Sequence, residues 1–186
     1  MESASIDPLD SLERRSKRPV NTWSEFEVVL KAKLGNHRLI FGAEVDGVDS
    51  DGRTYIELKT NRILKEPAHF QSFYQQKLIS YWAQCFLAGI KKVLVGFRND
   101  LGVVKRMEYI EVEEIPRMVR GKVSWCPGSM LNFGTMVLDW LSETLRSVPE
   151  NLVYRMNYSC RDSIKLFINE GCDPFLSEDF YDAFYY

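Results

Sequence analysis

Phe41-Gly-Ala-Glu-Val-Asp46 and Tyr55-Ile-Glu-Leu-Lys-Thr60 are the stretches whose reading decides the fold. Each lies in a run that reads as a strand, Arg38 to Asp46 and Arg53 to Thr60. Between them, Gly47 to Gly52 is rich in Asp and Gly, which predicts a turn and therefore a hairpin. Side chains alternate along a strand, so Glu44 and Asp46 share one face, and Glu57 and Lys59 share one face. If the hairpin closes across the turn, three carboxylates and one ammonium meet on that face.

Three carboxylates within ~6 Å repel one another, and like-charged neighbours push carboxylate pKa values up. Hard, oxygen-liganded cations such as Mg²⁺ or Mn²⁺ relieve that repulsion. Two ions ~3.5–4 Å apart would stabilise both the attacking and the leaving oxygen of a phosphoryl displacement. Lys59 would orient the attacking water or stabilise transition-state charge. The carbonyl of Leu58 is a further oxygen within reach. A solvated surface hairpin is the competing reading. Against it, Ile40, Phe41, Ala43, Val45, Tyr55, Ile56 and Leu58 place both stretches inside the fold, where charges need pairing or a metal.

Outward from this pair, Asn21 or Thr22 can cap a helix through Trp23, Phe26, Val29, Leu30 and Lys33, stopped at Leu34-Gly35-Asn36. Pro67 opens a long helix. Phe70, Phe73, Tyr74, Lys77, Leu78, Tyr81, Trp82, Cys85 and Phe86 recur along it at steps of three and four, as a core face does. Gly89 ends it. Gln84 flanks the apolar stripe, where its amide can meet a water or a phosphate oxygen or simply lie on the helix surface. Lys92 to Arg98 reads as a strand, Asn99 to Gly102 as a turn, and Val103 to Val112 as a returning strand. A helix spans roughly residues 129–146, and a hairpin follows at about 152–158 and 163–169. The sum is an α+β fold, with a mixed, largely antiparallel sheet flanked by helices and an acidic-x-Lys site.

Residues 1–19 read as a polar tail ending in Arg14-Arg-Ser-Lys-Arg-Pro19, with nuclear import as a sharper reading. Residues 20–186 read as one domain, in line with a length of 186 residues. A net charge of −2, from 24 basic and 26 acidic residues, argues against a non-specific nucleic-acid coat protein. No run of apolar residues is long enough to span a membrane, so no membrane partner is expected. The four cysteines form no Cys-x-x-Cys pair, which argues against zinc, and Cys85 reads as a core residue. His37 and His69 stand singly, and no Gly-x-Ser-x-Gly or phosphate-loop motif occurs.

The two opening stretches, followed by Trp82-Ala-Gln-Cys-Phe-Leu87, Val95-Gly-Phe-Arg98 and Trp125-Cys-Pro-Gly128, resemble the DXO-type decapping exoribonucleases. The resemblance covers roughly residues 20–186. It implies a metal-dependent hydrolase of RNA 5′ ends, which removes NAD or incomplete caps, or pyrophosphate from triphosphate ends, in some members with 5′→3′ exoribonuclease activity. Glu44, Asp46 and Glu57 match acidic metal ligands, and the Leu58 carbonyl matches a main-chain ligand. Lys59 and Gln84 match groups at the nucleophilic water and the scissile phosphate. The resemblance further implies a nuclear or cytosolic location and a larger 5′→3′ exoribonuclease as partner. The chain resembles the C-terminal half of a family member. The family's N-terminal half carries an arginine motif and a Gly-x-x-x-Glu motif that supplies another metal-site carboxylate; neither is found ahead of Gly35, the first glycine of this sequence. The alternative is a catalytically impaired paralogue or fragment that binds RNA or a nuclease.

Overall fold

The computed structural model describes residues 17, 19, 25–149, 152–169 and 177–184. Nearly all of the 1–19 tail, and the Asn21, Thr22 and Trp23 positions, lie outside the described residues. The chain divides into two compact units, residues 1–133 and 134–186.

The first unit opens with a strand where a helix was expected. Strand β1 (Glu27–Leu34) pairs antiparallel with β2 (His37–Glu44), with Leu34 opposite His37 and Glu27 opposite Glu44. Glu-Val-Val-Leu-Lys-Ala-Lys-Leu alternates strictly, and Val28, Leu30, Ala32 and Leu34 are the half-buried side. That period of two, with two adjacent β-branched valines, outweighs the helical spacing of residues 26, 29 and 30. Gly35-Asn36 is therefore a two-residue hairpin turn. Gly35 sits at φ 58°, a conformation open to glycine at no steric cost.

This pairing corrects a second expectation. The 38–46 stretch does not pair along its length with 53–60; its partner is β1. The Val45 amide bonds the Phe26 carbonyl at 2.9 Å, and the chain then passes into another sheet. There β3 (Gly47–Val48) pairs with the start of β4 (Tyr55–Arg62), Gly47 opposite Ile56 and Val48 opposite Tyr55. The loop between them is held by Asp51, whose carboxylate accepts the Arg53 and Thr54 amides at 2.8 Å each. Those bonds and the Thr54 hydroxyl hold the Asp51 carboxyl down at about 2.

The long helix forms as expected, with one irregularity. α1 (Pro67–Ser72) carries proline at its start, where a missing N–H costs nothing. A π-helical turn, Phe73–Lys77, follows, and α2 (Leu78–Ala88) completes the helix. The Leu78 amide bonds the Phe73 carbonyl, five residues back, so both side chains reach the core across the wide turn. Gly89, at φ 69°, closes α2 with the Ile90 amide on the Cys85 carbonyl and the Gly89 amide on Phe86.

β5 (Lys92–Arg98) then lies parallel to β4, and β6 (Val104–Glu111) returns antiparallel to β5. The four-stranded order is β3-β4-β5-β6. Phe73, Leu78, Tyr81, Trp82 and Cys85 of the helix pack on Val93, Val95 and Phe97 of β5 and on Ile110. A 3₁₀ turn at Val112–Glu114 and the short α3 (Ile115–Val119) close the core with Val112, Ile115 and Val119. α4 (Pro127–Leu145) follows. In the second unit, β7 (Tyr154–Asn157) and β8 (Lys165–Ile168) form the expected antiparallel hairpin, and α5 (Glu178–Phe184) follows. The fold is α+β with mixed sheets, as the pattern predicts. Among the described residues, no helix is long and apolar enough to cross a membrane.

Candidate active site

Strand parity decides which side chains of β4 face inward. Glu57 and Lys59 point to the helix-covered side, beside Val93 and Val95 of β5, while Leu58 between them is 47% exposed. Glu57 is 2% exposed, and among the described residues it is the one buried polar or charged side chain in the core. A carboxylate so placed requires partners, because an unpaired buried charge costs several kcal/mol, of order ~3–5.

It has them. The Lys59 ammonium and the Gln84 amide nitrogen both donate to Glu57 Oε1, the latter at 2.7 Å. Gln84 arrives from α2, 27 residues along the chain, because the crossover helix between parallel β4 and β5 lies over the sheet at this point. Burial pushes the Glu57 carboxyl above the usual carboxylate range; Lys59 opposes the rise and the neighbouring Asp46 carboxylate adds to it. Cys85, next to Gln84 and fully buried, is pushed up to about 12 by burial and by the Glu57 charge.

Asp46 enters from the other side. Its Oδ2 accepts the Leu58 amide at 2.8 Å, which fixes the carboxylate at the edge of β4. The N–H and C=O of one strand residue point to the same edge, so the Leu58 carbonyl faces that edge too. Asp46, Glu57 and the Leu58 carbonyl are thus hard oxygen donors about one strand edge, a donor set suited to a hard divalent cation. Two carboxylates held side by side with a single ammonium also carry the net charge that such a cation neutralises.

Of the residues singled out by sequence, Asp46, Glu57, Lys59 and Gln84 are brought together. Glu44 ends β2, exposed and opposite Glu27 in the other sheet. Among the described residues, no three acidic, His or Cys side chains form a metal-holding group, so the three-carboxylate cluster expected from a long hairpin is not assembled. The reason is that β2 pairs with β1, and the chain reaches β4 only from Asp46 onward, through β3. The Leu58 amide is a site group that sequence reading missed, since it requires knowing that Asp46 lies across from β4.

Comparison with known proteins gives this site its context. The family model described as RAI1 like PD-(D/E)XK nuclease matches residues 2–181. The chain is 30% identical over 184 residues to the decapping nuclease RAI1 of Aspergillus fumigatus, covering 94% of this chain and 50% of that protein. It is 36% identical over 146 residues to the decapping and exoribonuclease protein of Bos taurus, covering 75% and 37%. The crystal structure of Candida albicans Rai1 in complex with pU5 and Mn²⁺ superposes with a TM-score of 0.77 at 30% identity, over 90% of this chain and 47% of that one. The chain therefore covers between 37% and 50% of the length of these relatives. With a match running through both site strands and the Gln84 helix, the chain belongs to the RAI1-like PD-(D/E)XK nuclease family.

Proposed function

We propose that this chain is a divalent-cation-dependent hydrolase of RNA 5′ ends, acting at the Asp46–Glu57–Lys59–Gln84 centre. The carrying observation is the buried Glu57 carboxylate, bonded by Lys59 and Gln84 with Asp46 alongside. Its proposed substrates are NAD-capped, incompletely capped and triphosphate ends, with 5′→3′ cleavage of the RNA body as a second activity. The likeness to proteins named for decapping, and to one solved with pU5 and Mn²⁺, supports this reading.

Mg²⁺ or Mn²⁺ ions, two in the full arrangement, would be held by Asp46, Glu57 and the Leu58 carbonyl, and would supply charge neutralisation at the phosphoryl group. The chain's own groups do the rest. Glu57, whose basicity burial raises and whose carboxylate two donors fix, accepts a proton from the attacking water. Lys59 offers its ammonium to the charge that develops on the phosphoryl oxygens. Gln84 donates an N–H that orients the water or a phosphate oxygen. A nuclear location and a larger 5′→3′ exoribonuclease partner are proposed from the same family likeness.

A binding module for RNA or a nuclease is the second reading, favoured by the lack of a three-ligand metal group among the described residues. The deciding experiment incubates the chain with NAD-capped and triphosphate-ended RNA, with Mn²⁺ or with EDTA, beside Glu57→Ala/Lys59→Ala. Cap or pyrophosphate release that needs Mn²⁺ and is lost in the variant is expected. No release under any condition refutes the enzyme and leaves the module.

A further inference from the structure

β4 is flanked by β3 only at its start. β3 pairs with Tyr55 and Ile56, and Asp46 takes the Leu58 amide. From Lys59 to Arg62 the strand has β5 on one side and, among the described residues, no strand on the other. Its free flank therefore runs directly out of the Glu57 site, with no neighbouring strand among the described residues to cover it. Parity carries the same face onward: Glu57, Lys59 and Asn61 lie on the helix-covered side, and Leu58, Thr60 and Arg62 on the other.

The helix lies over the face of the sheet to which Glu57, Lys59 and Asn61 belong. Because α1, the π turn and α2 connect two parallel strands, the helix runs back against the direction of β4. Moving from Gln84 toward the helix N-terminus thus means moving along β4 from Glu57 toward Arg62. Lys77 lies seven residues before Gln84. At 100° and 1.5 Å per residue, that places it about 20° round the helix from Gln84 and about 10 Å along it, on the same face. Lys77 is exposed, and among the described residues its ammonium has no ion-pair partner. Its backbone is also held. Gln75, in the same π turn, exchanges hydrogen bonds with Ser124 at 2.6 and 3.1 Å, and the Trp125 indole donates to the Tyr74 carbonyl at 3.2 Å. A wide turn clamped in this way fixes where the Lys77 side chain departs.

We infer that Lys77 is a second phosphate-binding position, holding the RNA backbone one step beyond the reacting 5′ end. This rests on the proposed function. A lone ammonium on a fixed helix face, about 10 Å from the site along an open polar flank, suits a phosphate oxygen of a following nucleotide and is too far to touch the reacting one. Asn61 lines the flank from the strand side. One of its amide N–H groups is spent on the Arg62 carbonyl at 2.6 Å, and the other is available to the same strand of RNA. Lys77 is thus a positioning residue: it distinguishes RNA with a body from a bare nucleotide, and it takes no part in bond cleavage.

Direct binding tests this without relying on turnover. A 3′-fluorescein 5′-phosphorylated pentauridylate and uridine 5′-monophosphate are titrated, in Mn²⁺, against the full chain, Lys77→Ala, Lys77→Arg and the distant Lys33→Ala. Lys77→Ala is expected to weaken the pentanucleotide about tenfold and leave the mononucleotide unchanged. The slope of log K against log salt is expected to fall by about 0.7, the loss of one phosphate contact on a single strand. Lys77→Arg restores most of the affinity, and Lys33→Ala behaves as the unaltered chain. If the unaltered chain binds the pentanucleotide and Lys77→Ala binds it equally, with the same salt slope, the inference is wrong while the proposed function stands. If the unaltered chain binds neither ligand, both fall.

Discussion

Removing the Lys59 ammonium by Lys59→Met leaves Glu57 as a buried carboxylate with one remaining donor, Gln84. Breaking a buried pair by deleting one partner costs ~3–5 kcal/mol. Lys59 is 25% exposed and Gln84 still donates, so roughly 2–3 kcal/mol is expected here. At roughly 2–4 °C per kcal/mol for a chain of this size, the thermal midpoint should drop by about 5–10 °C at pH 8. The loss must depend on pH in a set direction. The folded Glu57 carboxyl already titrates above its unfolded value, through burial, and deleting Lys59 removes the main influence opposing that rise. Between the unfolded and folded pKa the folded state binds more protons, so stability increases as pH falls through that window, and the penalty is complete above it. Unfolding in urea at pH 8, 7, 6 and 5 should show the deficit of Lys59→Met shrinking toward acid. The double variant Lys59→Met/Glu57→Gln should recover most of it at pH 8, since no charge is left to strand. A deficit that is the same at every pH, or that Glu57→Gln fails to relieve, refutes the placement of a charged Glu57 in the core.

Further outcomes follow from the same geometry. Glu57→Gln alone removes a carboxylate that burial disfavours in its charged form, so its thermal midpoint at pH 8 should not fall below that of the unaltered chain, while hydrolysis drops at least about a hundredfold; calorimetry and cap-release rates check both. Gln84→Ala should cost about 1 kcal/mol in urea unfolding and lower the rate of cap release about a hundredfold, because it removes a positioned donor from a site whose fold does not depend on it. Maleimide labelling of the native chain at pH 7, mapped by mass spectrometry, should modify Cys126 early and spare Cys85. The backbone N–H groups of Ser129 and Gly128 hold the exposed Cys126 thiol below its ordinary value, and burial holds Cys85 up at about 12.

Much of this was legible in the sequence, for reasons that differ by element. The helix from Pro67 shows a strong 3.6 period; of the residues it predicts as core, Phe73, Leu78, Tyr81, Trp82 and Cys85 are buried, while Phe70, Lys77 and Phe86 are exposed. Its π turn left no comparable signal: the only trace is that Phe73 and Leu78 stand five apart, and one extra residue is easily absorbed into a pattern of threes and fours. β1 was misread because Phe26, Val29 and Leu30 satisfy a helical spacing while Glu27 to Leu34 satisfies an alternating one, and local pattern cannot show which has a partner strand. That partner, β2, was then assigned to β4, since a chain that changes sheet at Val45–Asp46 resembles one long strand. The inward parity of Glu57 and Lys59 followed from alternation alone. The meeting of Gln84 with Glu57 did not: it depends on how the crossover helix lies on the sheet, and only family likeness pointed to it.

The central claim is that cation-assisted hydrolysis occurs at the β4 edge shared by Asp46, Glu57 and the Leu58 carbonyl. Single-turnover release of the cap from NAD-capped RNA, measured across a Mn²⁺ titration for the unaltered chain and for Asp46→Asn, tests it most directly. The account predicts no release in EDTA, saturable release with Mn²⁺, and a half-saturating Mn²⁺ concentration shifted upward at least about tenfold in Asp46→Asn, the loss of one charged oxygen ligand. Release that persists in EDTA, or a Mn²⁺ dependence identical in the two proteins, would contradict it.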